Sequence, residues 1–300
     1  MELRVLKYFL AVARTGNISR AAEQAYVSQP ALSRQMIDLE EELGVKLLER
    51  GKRHTALTEA GYLLKKRAEE IMTLVDKTVD DLSHAREGVS GSVRIGCGET
   101  EGMRLVARTV QDMRREYPLV HCHFFSMDGS GVKERLEKGM LDFGVLVQPE
   151  PPGGYEHAEI DHQDVWGILM RRDDPLASLE TVTAGDLAGR PLIISRQAFE
   201  AQELGAWFGG GADDLNIVAT YTLIYNASLL AEEGVGYVLC LDRLLSLPEG
   251  DPLVFRPLSP KKTCRIFFVW KRNQVFSKAA SLFREMVIKA TENRAGGNDG

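Results

Sequence analysis

The segment Ser28-Gln29-Pro30-Ala31-Leu32-Ser33-Arg34 sets amide, hydroxyl, apolar and cationic groups side by side. A glutamine amide can bond an adenine edge, an arginine a guanine edge or a phosphate, and serine hydroxyls phosphate oxygens, while Pro30 and Ala31 offer apolar contact to thymine methyls. Further along, Arg50, Lys52 and Arg53 form the densest basic cluster in the chain, with no acidic residue between them. A phosphate backbone suits such a cluster; the bland alternative is a solvated basic loop. The cluster stands out because the 300-residue chain is acidic, 37 Lys+Arg against 43 Asp+Glu for a net charge of −6. No global field draws it to nucleic acid or an anionic membrane, so any charged site must be local.

The elements that position these residues are legible as helical periods. Leu3, Leu6, Phe9 and Leu10, with Val5 and Val12, predict a first helix that Gly16 ends. Ser19 is placed to cap a short second helix over 20–25, and Tyr26-Val27 is a tight connection. Ser28 then caps a third helix in which Leu32, Met36, Leu39 and Leu43 recur, with Gly44 as its stop. Two helices joined by so short a turn make a helix-turn-helix pattern; taken alone, the helices also suit a small bundle with a polar face. Residues 47–57 read as two short strands around the basic tip, a wing. From Thr58 the chain stays helical to about residue 89. Leu64, Ala68, Ile71, Val75, Thr78, Leu82, Ala85 and Val89 fall at alternating steps of four and three, a heptad seam that implies a partner helix. The alternative is that this stripe packs on the protein's own second domain.

These residues carry a resemblance. Phe9-Leu10-Ala11-Val12-Ala13, Ser19-Arg20-Ala21-Ala22, Val27-Ser28-Gln29-Pro30-Ala31-Leu32-Ser33-Arg34-Gln35, Leu39-Glu40-Glu41-Glu42-Leu43-Gly44, Leu47-Leu48-Glu49-Arg50 and Leu57-Thr58-Glu59-Ala60-Gly61 resemble, without a gap, the winged helix-turn-helix of LysR-type transcriptional regulators. Leu48 stands where that family often has phenylalanine. The resemblance implies a regulator that binds double-stranded promoter DNA through Ser28, Gln29, Pro30, Ala31, Ser33 and Arg34 and through Arg50, Lys52 and Arg53 of the wing. It also implies a dimer formed by the long helix, a tetramer as a dimer of dimers, and contact with RNA polymerase.

After the small, flexible run Val89-Ser90-Gly91-Ser92, strands over 93–97, 120–126 and 143–147 alternate with helices over about 101–116 and 131–138. Further strands are expected near 165–170, 192–195, 216–221, 235–239 and 265–270, and a last helix over about 277–291. Alternating strands and helices imply an α/β sheet. Gly139-Met140-Leu141-Asp142-Phe143-Gly144-Val145, Asp173-Asp174-Pro175-Leu176-Ala177, Asp186-Leu187-Ala188-Gly189-Arg190-Pro191-Leu192-Ile193 and Gly234-Val235-Gly236-Tyr237-Val238-Leu239 resemble the LysR-type effector domain, with Cys240 where proline is frequent. The fold class so implied is α/β with an all-helical N-terminal part: a winged helix-turn-helix over 1–60, a linker and dimerisation helix over 61–91, and a two-subdomain, periplasmic-binding-protein-like effector domain over 92–295. One subdomain takes about 92–163 and 265–295, the other about 164–264.

Ligands of such sheets bind beyond the strand C-termini. This gives Glu99, Thr100, Ser126, Gln148, Ser195 and Arg196 as candidate lining for a small-molecule effector, with Thr222 or Asn226 besides. Many family effectors are small carboxylates, which Arg196 favours; Glu99 and Glu101 already bring negative charge to the helix start beside them, so a neutral or cationic effector stays open. Other signals fail. His121 and His123 share one strand face and Cys122 the other, too few groups for a metal, and no metal or cofactor is expected. Gly-x-x-x-x-Gly-Lys, Gly-x-Ser-x-Gly and His-Glu-x-x-His are missing from the sequence, so no enzyme is expected. Four dispersed cysteines suit reduced thiols, Cys97 alone leaving a redox-sensing role conceivable. Without a signal peptide or an apolar run of about 18 residues, a cytoplasmic protein with no membrane partner is expected. The competing function is a small-molecule-binding or transport-type module whose N-terminal helices serve only assembly.

Overall fold

The computed structural model of the chain describes residues 1–51, 54–83, 89–200, 204–209 and 215–295. It divides into two compact units, Met1–Ser83 and His84–Gly300.

In the first unit α1 (Leu3–Thr15) buries Leu6, Phe9 and Val12, and Gly16 ends it at φ +60°, a left-handed cap that glycine adopts without strain. α2 (Ile18–Gln24) begins earlier than expected. Asn17 directly follows Gly16 in an extended conformation, and its side chain accepts from the Arg20 amide at 3.0 Å, so Asn17 is the cap and Ser19 lies inside the first turn. Ser28 caps α3 (Gln29–Leu43), and Gly44 stops it at φ +69°. β1 (Leu48–Arg50) pairs antiparallel with β2 (Thr55–Leu57), forming the wing. Phe9, Ala21, Leu32, Met36, Leu39 and Leu47 meet in one core behind these elements.

α4 is described over Glu59–Ser83. Thr58 caps it, accepting from the Gly61 amide at 3.0 Å while donating to the Lys46 carbonyl at 2.7 Å. Along the expected seam Ala68 is buried, Leu64, Ile71 and Val75 are half-buried, and Thr78 and Leu82 are exposed. Ala85 lies outside the described residues. Val89 is not helical; it packs on the core of the second unit, because the strand pairing that starts at Gly91 captures the chain there.

The second unit carries β3 (Gly91–Cys97), α5 (Met103–Glu116), β4 (Val120–Ser126), α6 (Gly129–Glu137), β5 (Phe143–Gln148), β6 (Tyr155–Arg171), β7 (Leu192–Ser195), α7 (Arg196–Glu200), β8 (Ile217–Tyr221), α8 (Ile224–Glu232), β9 (Tyr237–Leu241), β10 (Leu253–Pro257), β11 (Thr263–Lys271) and α9 (Lys278–Ala295). The strands run in the order β4-β3-β5-β11-β6-β9-β7-β8, with β10 paired to β6. β3 is parallel to β4 and β5, and β7 to β8 and β9, as crossover helices demand. The strand expected over 165–170 is 17 residues long: its first part pairs with β11 and its end with β9 and β10. The chain therefore crosses between the two subdomains inside one strand and returns through β11, where the register shifts between Cys264 and Ile266. Each half has its own core, one around Phe143, Phe268 and Phe283, the other around Ile168, Ile194 and Leu239. α7, α8 and β10 have no counterpart in the expected elements.

Candidate nucleic-acid interface and effector crevice

α3 presents the expected reading residues on its first turns. Gln29, Pro30, Ala31 and Arg34 are exposed and Ser33 is half-buried, while Leu32 between them is fully buried and fixes the rotation of the helix. The Ser28 hydroxyl oxygen accepts from the Ala31 amide at 3.4 Å, which leaves its own proton free to donate. Arg34 pairs with Asp38 one turn on, Nε to Oδ1 at 2.8 Å, with 72% of its side chain exposed. A surface pair of this kind is worth little and exchanges readily for a phosphate. The side chain of Arg50 and all of Lys52 and Arg53 lie outside the described residues.

Sequence reasoning missed two residues here. Tyr26, in the turn between α2 and α3, holds φ at +55° and is 96% exposed, a large aromatic placed in solvent beside the start of the reading helix. Glu40, on the inner face of α3, is buried; its Oε1 accepts from the Leu47 and Leu48 amides at 2.8 and 3.0 Å, and Lys46 reaches Oε2 at 3.0 Å. Burial alone pushes the Glu40 carboxyl up, but Lys46 and the two amides outweigh it and hold the group below the usual carboxylate range. Glu40 thus ties the reading helix to the root of the wing. A glutamate inside a run of three, Glu40-Glu41-Glu42, gives no sequence signal of burial beyond its place in the helical period.

In the second unit a crevice of about 70 Å³ opens between the two halves of the sheet, beyond the ends of β3, β5 and β7. Of the expected residues Glu99 and Ser195 line it, together with Thr222. Thr100 and Ser126 line an adjoining hollow, where Thr100 is buried and donates to Asp164 at 2.5 Å. Gln148 is turned aside, accepting from Lys133 at 3.2 Å and donating to the Glu150 carbonyl. Arg196, the expected anion ligand, is ion-paired with Asp128. The residue the sequence reading overlooked is its neighbour Gln197, whose Oε1 accepts from the Gly129 amide at 2.8 Å and whose Nε2 donates to the Val147 carbonyl at 2.9 Å. These bonds lace α7 of one subdomain to α6 and β5 of the other.

A second strap is Glu99. Its Oε2 accepts from the Ile224 amide at 2.6 Å, so it caps α8, whose own cap position, Leu223, has no side-chain acceptor. Burial pushes the Glu99 carboxyl up, against the Ile224 hydrogen bond. Burial also raises Cys97 and Tyr221, and the Glu99 charge adds to both. Cys122 is pushed up to about 11 and Cys240 is raised as well, both chiefly by burial. Thiols shifted this way are poor nucleophiles at neutral pH. Where β6 crosses between subdomains, Asp164 is fully buried, with His162 Nε2 3.1 Å from Oδ1; burial raises its carboxyl, against the Thr100 hydrogen bond and the His162 charge. Among the described residues no group of three or more His, Cys, Asp or Glu is placed to hold a metal, and no helix is long and apolar enough to cross a membrane.

Comparison with known proteins places both units. Residues 3–62 match the bacterial regulatory helix-turn-helix of the lysR family, and residues 86–292 match the LysR substrate binding domain. The HTH-type transcriptional regulator YfeR of Shigella flexneri is 29% identical over 95% of this chain and 93% of its own length. The hydrogen peroxide-inducible genes activator of Pectobacterium carotovorum subsp. carotovorum is 29% identical over 89% of this chain and 90% of its own. Full-length CbnR, solved in complex with its target DNA, shares the fold with a TM-score of 0.74 at 24% identity, over 97% of this chain and 100% of that one. With a reading helix and wing in one unit and a two-subdomain crevice in the other, the chain belongs to the LysR family of DNA-binding transcriptional regulators, with a substrate-binding domain.

Proposed function

We propose that Ser28, Gln29, Pro30, Ala31, Ser33 and Arg34 enter the major groove of promoter DNA while Arg50, Lys52 and Arg53 grip the flanking phosphates. The observation that carries this reading is the first turn of α3: polar and cationic groups point outward on a helix locked in rotation by Leu32 and by the Glu40 bonds to the wing. A two-fold operator asks for two heads, and the exposed end of the α4 seam, Thr78 and Leu82, supports a homodimer joined through that helix; a dimer of dimers and contact with RNA polymerase are extensions of the same reading. Regulation follows by coupling. An effector that binds one arrangement of the two subdomains better than another shifts the population and with it the spacing of the heads.

The test is a DNase footprint of the purified protein on the DNA upstream of its own gene at two salt concentrations, followed by the salt slope of its affinity. Phosphate contacts make affinity fall steeply with salt, and Arg34→Ala combined with Arg53→Ala flattens that slope by about two ions. A double variant that binds like wild type overturns the residue assignment. Absence of any salt-sensitive DNA binding favours the competing reading, a small-molecule-binding or transport-type module.

A further inference from the structure

The charge in the crevice is one-sided. The ionisable carboxylates among its described lining are Glu99 and Asp128, and no Lys, Arg or His is among them. Asp128 is already satisfied: Oδ1 accepts from the Gly131 amide and the Ser130 hydroxyl, and Oδ2 takes Arg196. Glu99 is not. Among the described residues only the Ile224 amide donates to it, and that bond engages Oε2, so Oε1 is left to accept from a ligand. The helix N-termini that would welcome an anion are also taken, α8 by Glu99 and α6 by Asp128 and Gln197. An entering carboxylate would meet a half-buried negative charge with no cation in the crevice lining to answer it, since Arg196 is engaged by Asp128 and Arg243 lines the adjoining hollow on the other side of Glu99, and low dielectric makes like charges costly there. Around Glu99 the walls are aromatic and aliphatic, with Trp166, Tyr221, Val145 and Leu241; such faces attract an ammonium group and cover an apolar body.

We infer that the crevice takes a small organic amine, an ammonium group seated on Glu99 with an apolar body against Trp166 and Val145. This rests on the reading of the crevice as the effector site. Because Glu99 is also the strap to α8, an amine that draws on the same carboxylate acts directly on the bond between the two subdomains, which makes the residue a specificity determinant and a point of coupling together.

Benzylamine, benzyl alcohol and benzoate share one ring and differ in charge. Their binding to the full-length protein is measured by calorimetry and by thermal shift at neutral pH. Benzylamine is expected to bind at least about tenfold more tightly than benzyl alcohol, and benzoate not at all. Glu99→Gln, which keeps an acceptor for Ile224, should erase the preference for amine over alcohol. Benzoate binding as well as benzylamine, equal binding of amine and alcohol, an unchanged preference in Glu99→Gln, or no binding of benzylamine each overturns the inference. The wild-type comparison needs no variant and stands even if Glu99→Gln is poorly folded. Footprinting of the ligand-free wild-type protein separates the two levels: absent DNA binding there strikes the regulator reading, whereas intact DNA binding without amine selectivity strikes only this inference.

Discussion

At the scale of single residues, Glu40 carries more of the DNA-binding unit than its neighbours in sequence. It satisfies two buried amides of the wing root and holds Lys46. Glu40→Ala orphans both amides and is expected to cost on the order of 2–3 kcal/mol, whereas Glu40→Gln, which keeps an acceptor oxygen, costs about 1; urea unfolding followed at the helix signal distinguishes them. The sign with pH is fixed by the lowered carboxyl: its contribution is present above the ordinary carboxylate range and is lost as pH falls through the depressed value. Glu40→Gln should therefore lose that acid-side slope. Gly61 is the other residue without substitute. A Cβ there would lie 2.2 Å from the Leu47 carbonyl oxygen, so α4 meets the wing root as closely as backbone allows. Gly61→Ala is expected to destabilise by roughly 1–3 kcal/mol through overpacking, and amide exchange at Leu47 and Leu48 faster than in wild type is the sign to seek.

At the scale of elements, α4 changes character along its length. Its first turns share the core of the reading unit through Ala60 and Leu64, while Val79 and Leu82 stand 58% and 70% exposed. An apolar stripe left bare on one chain is covered by a second one if the homodimer reading holds. Val79→Asp with Leu82→Asp should then shift the protein toward monomer in sedimentation equilibrium and weaken binding to a two-fold operator far more than to a half-site. Retention of the wild-type assembly state would place the dimer contact elsewhere.

At the scale of the effector unit, the two subdomains are joined by continuous strand and laced by side chains, a hinge with straps. Asp164 sits in that hinge, faced by Thr100, His162 and Asp242, with the Glu101 amide beside it. Its raised carboxyl reverses the sign found at Glu40: the folded unit favours the protonated group, so that contribution is present at acid pH and lost as pH rises through the raised value. Asp164→Asn fixes the neutral form. The melting temperature of the variant minus that of wild type should grow as pH rises from about 4 toward neutrality, and a difference that is flat with pH would contradict the burial argument.

Sequence alone determined the reading head and the places of most strands along the chain, because both rest on local rules. Helical periods, the stops at Gly16 and Gly44, and the cap at Ser28 are decided within a few residues, and the strands β3, β4, β5 and β7 announce themselves as short apolar runs between helices. What depended on partners distant in the chain was not legible. Asn17 and Ser19 are equally good caps by type, and only the extended backbone after Gly16 selects Asn17. The first part of β6, polar in sequence, is a strand because β11 pairs with it across some hundred residues of chain. Arg196 looks like an anion ligand until the fold brings Asp128 to it, and Gln197 and Glu99 become straps only when α6 and α8 arrive. Side-chain chemistry is written in the sequence; which partner consumes it is settled by tertiary structure, since a hydrogen bond or ion pair made within the fold is no longer available to a ligand.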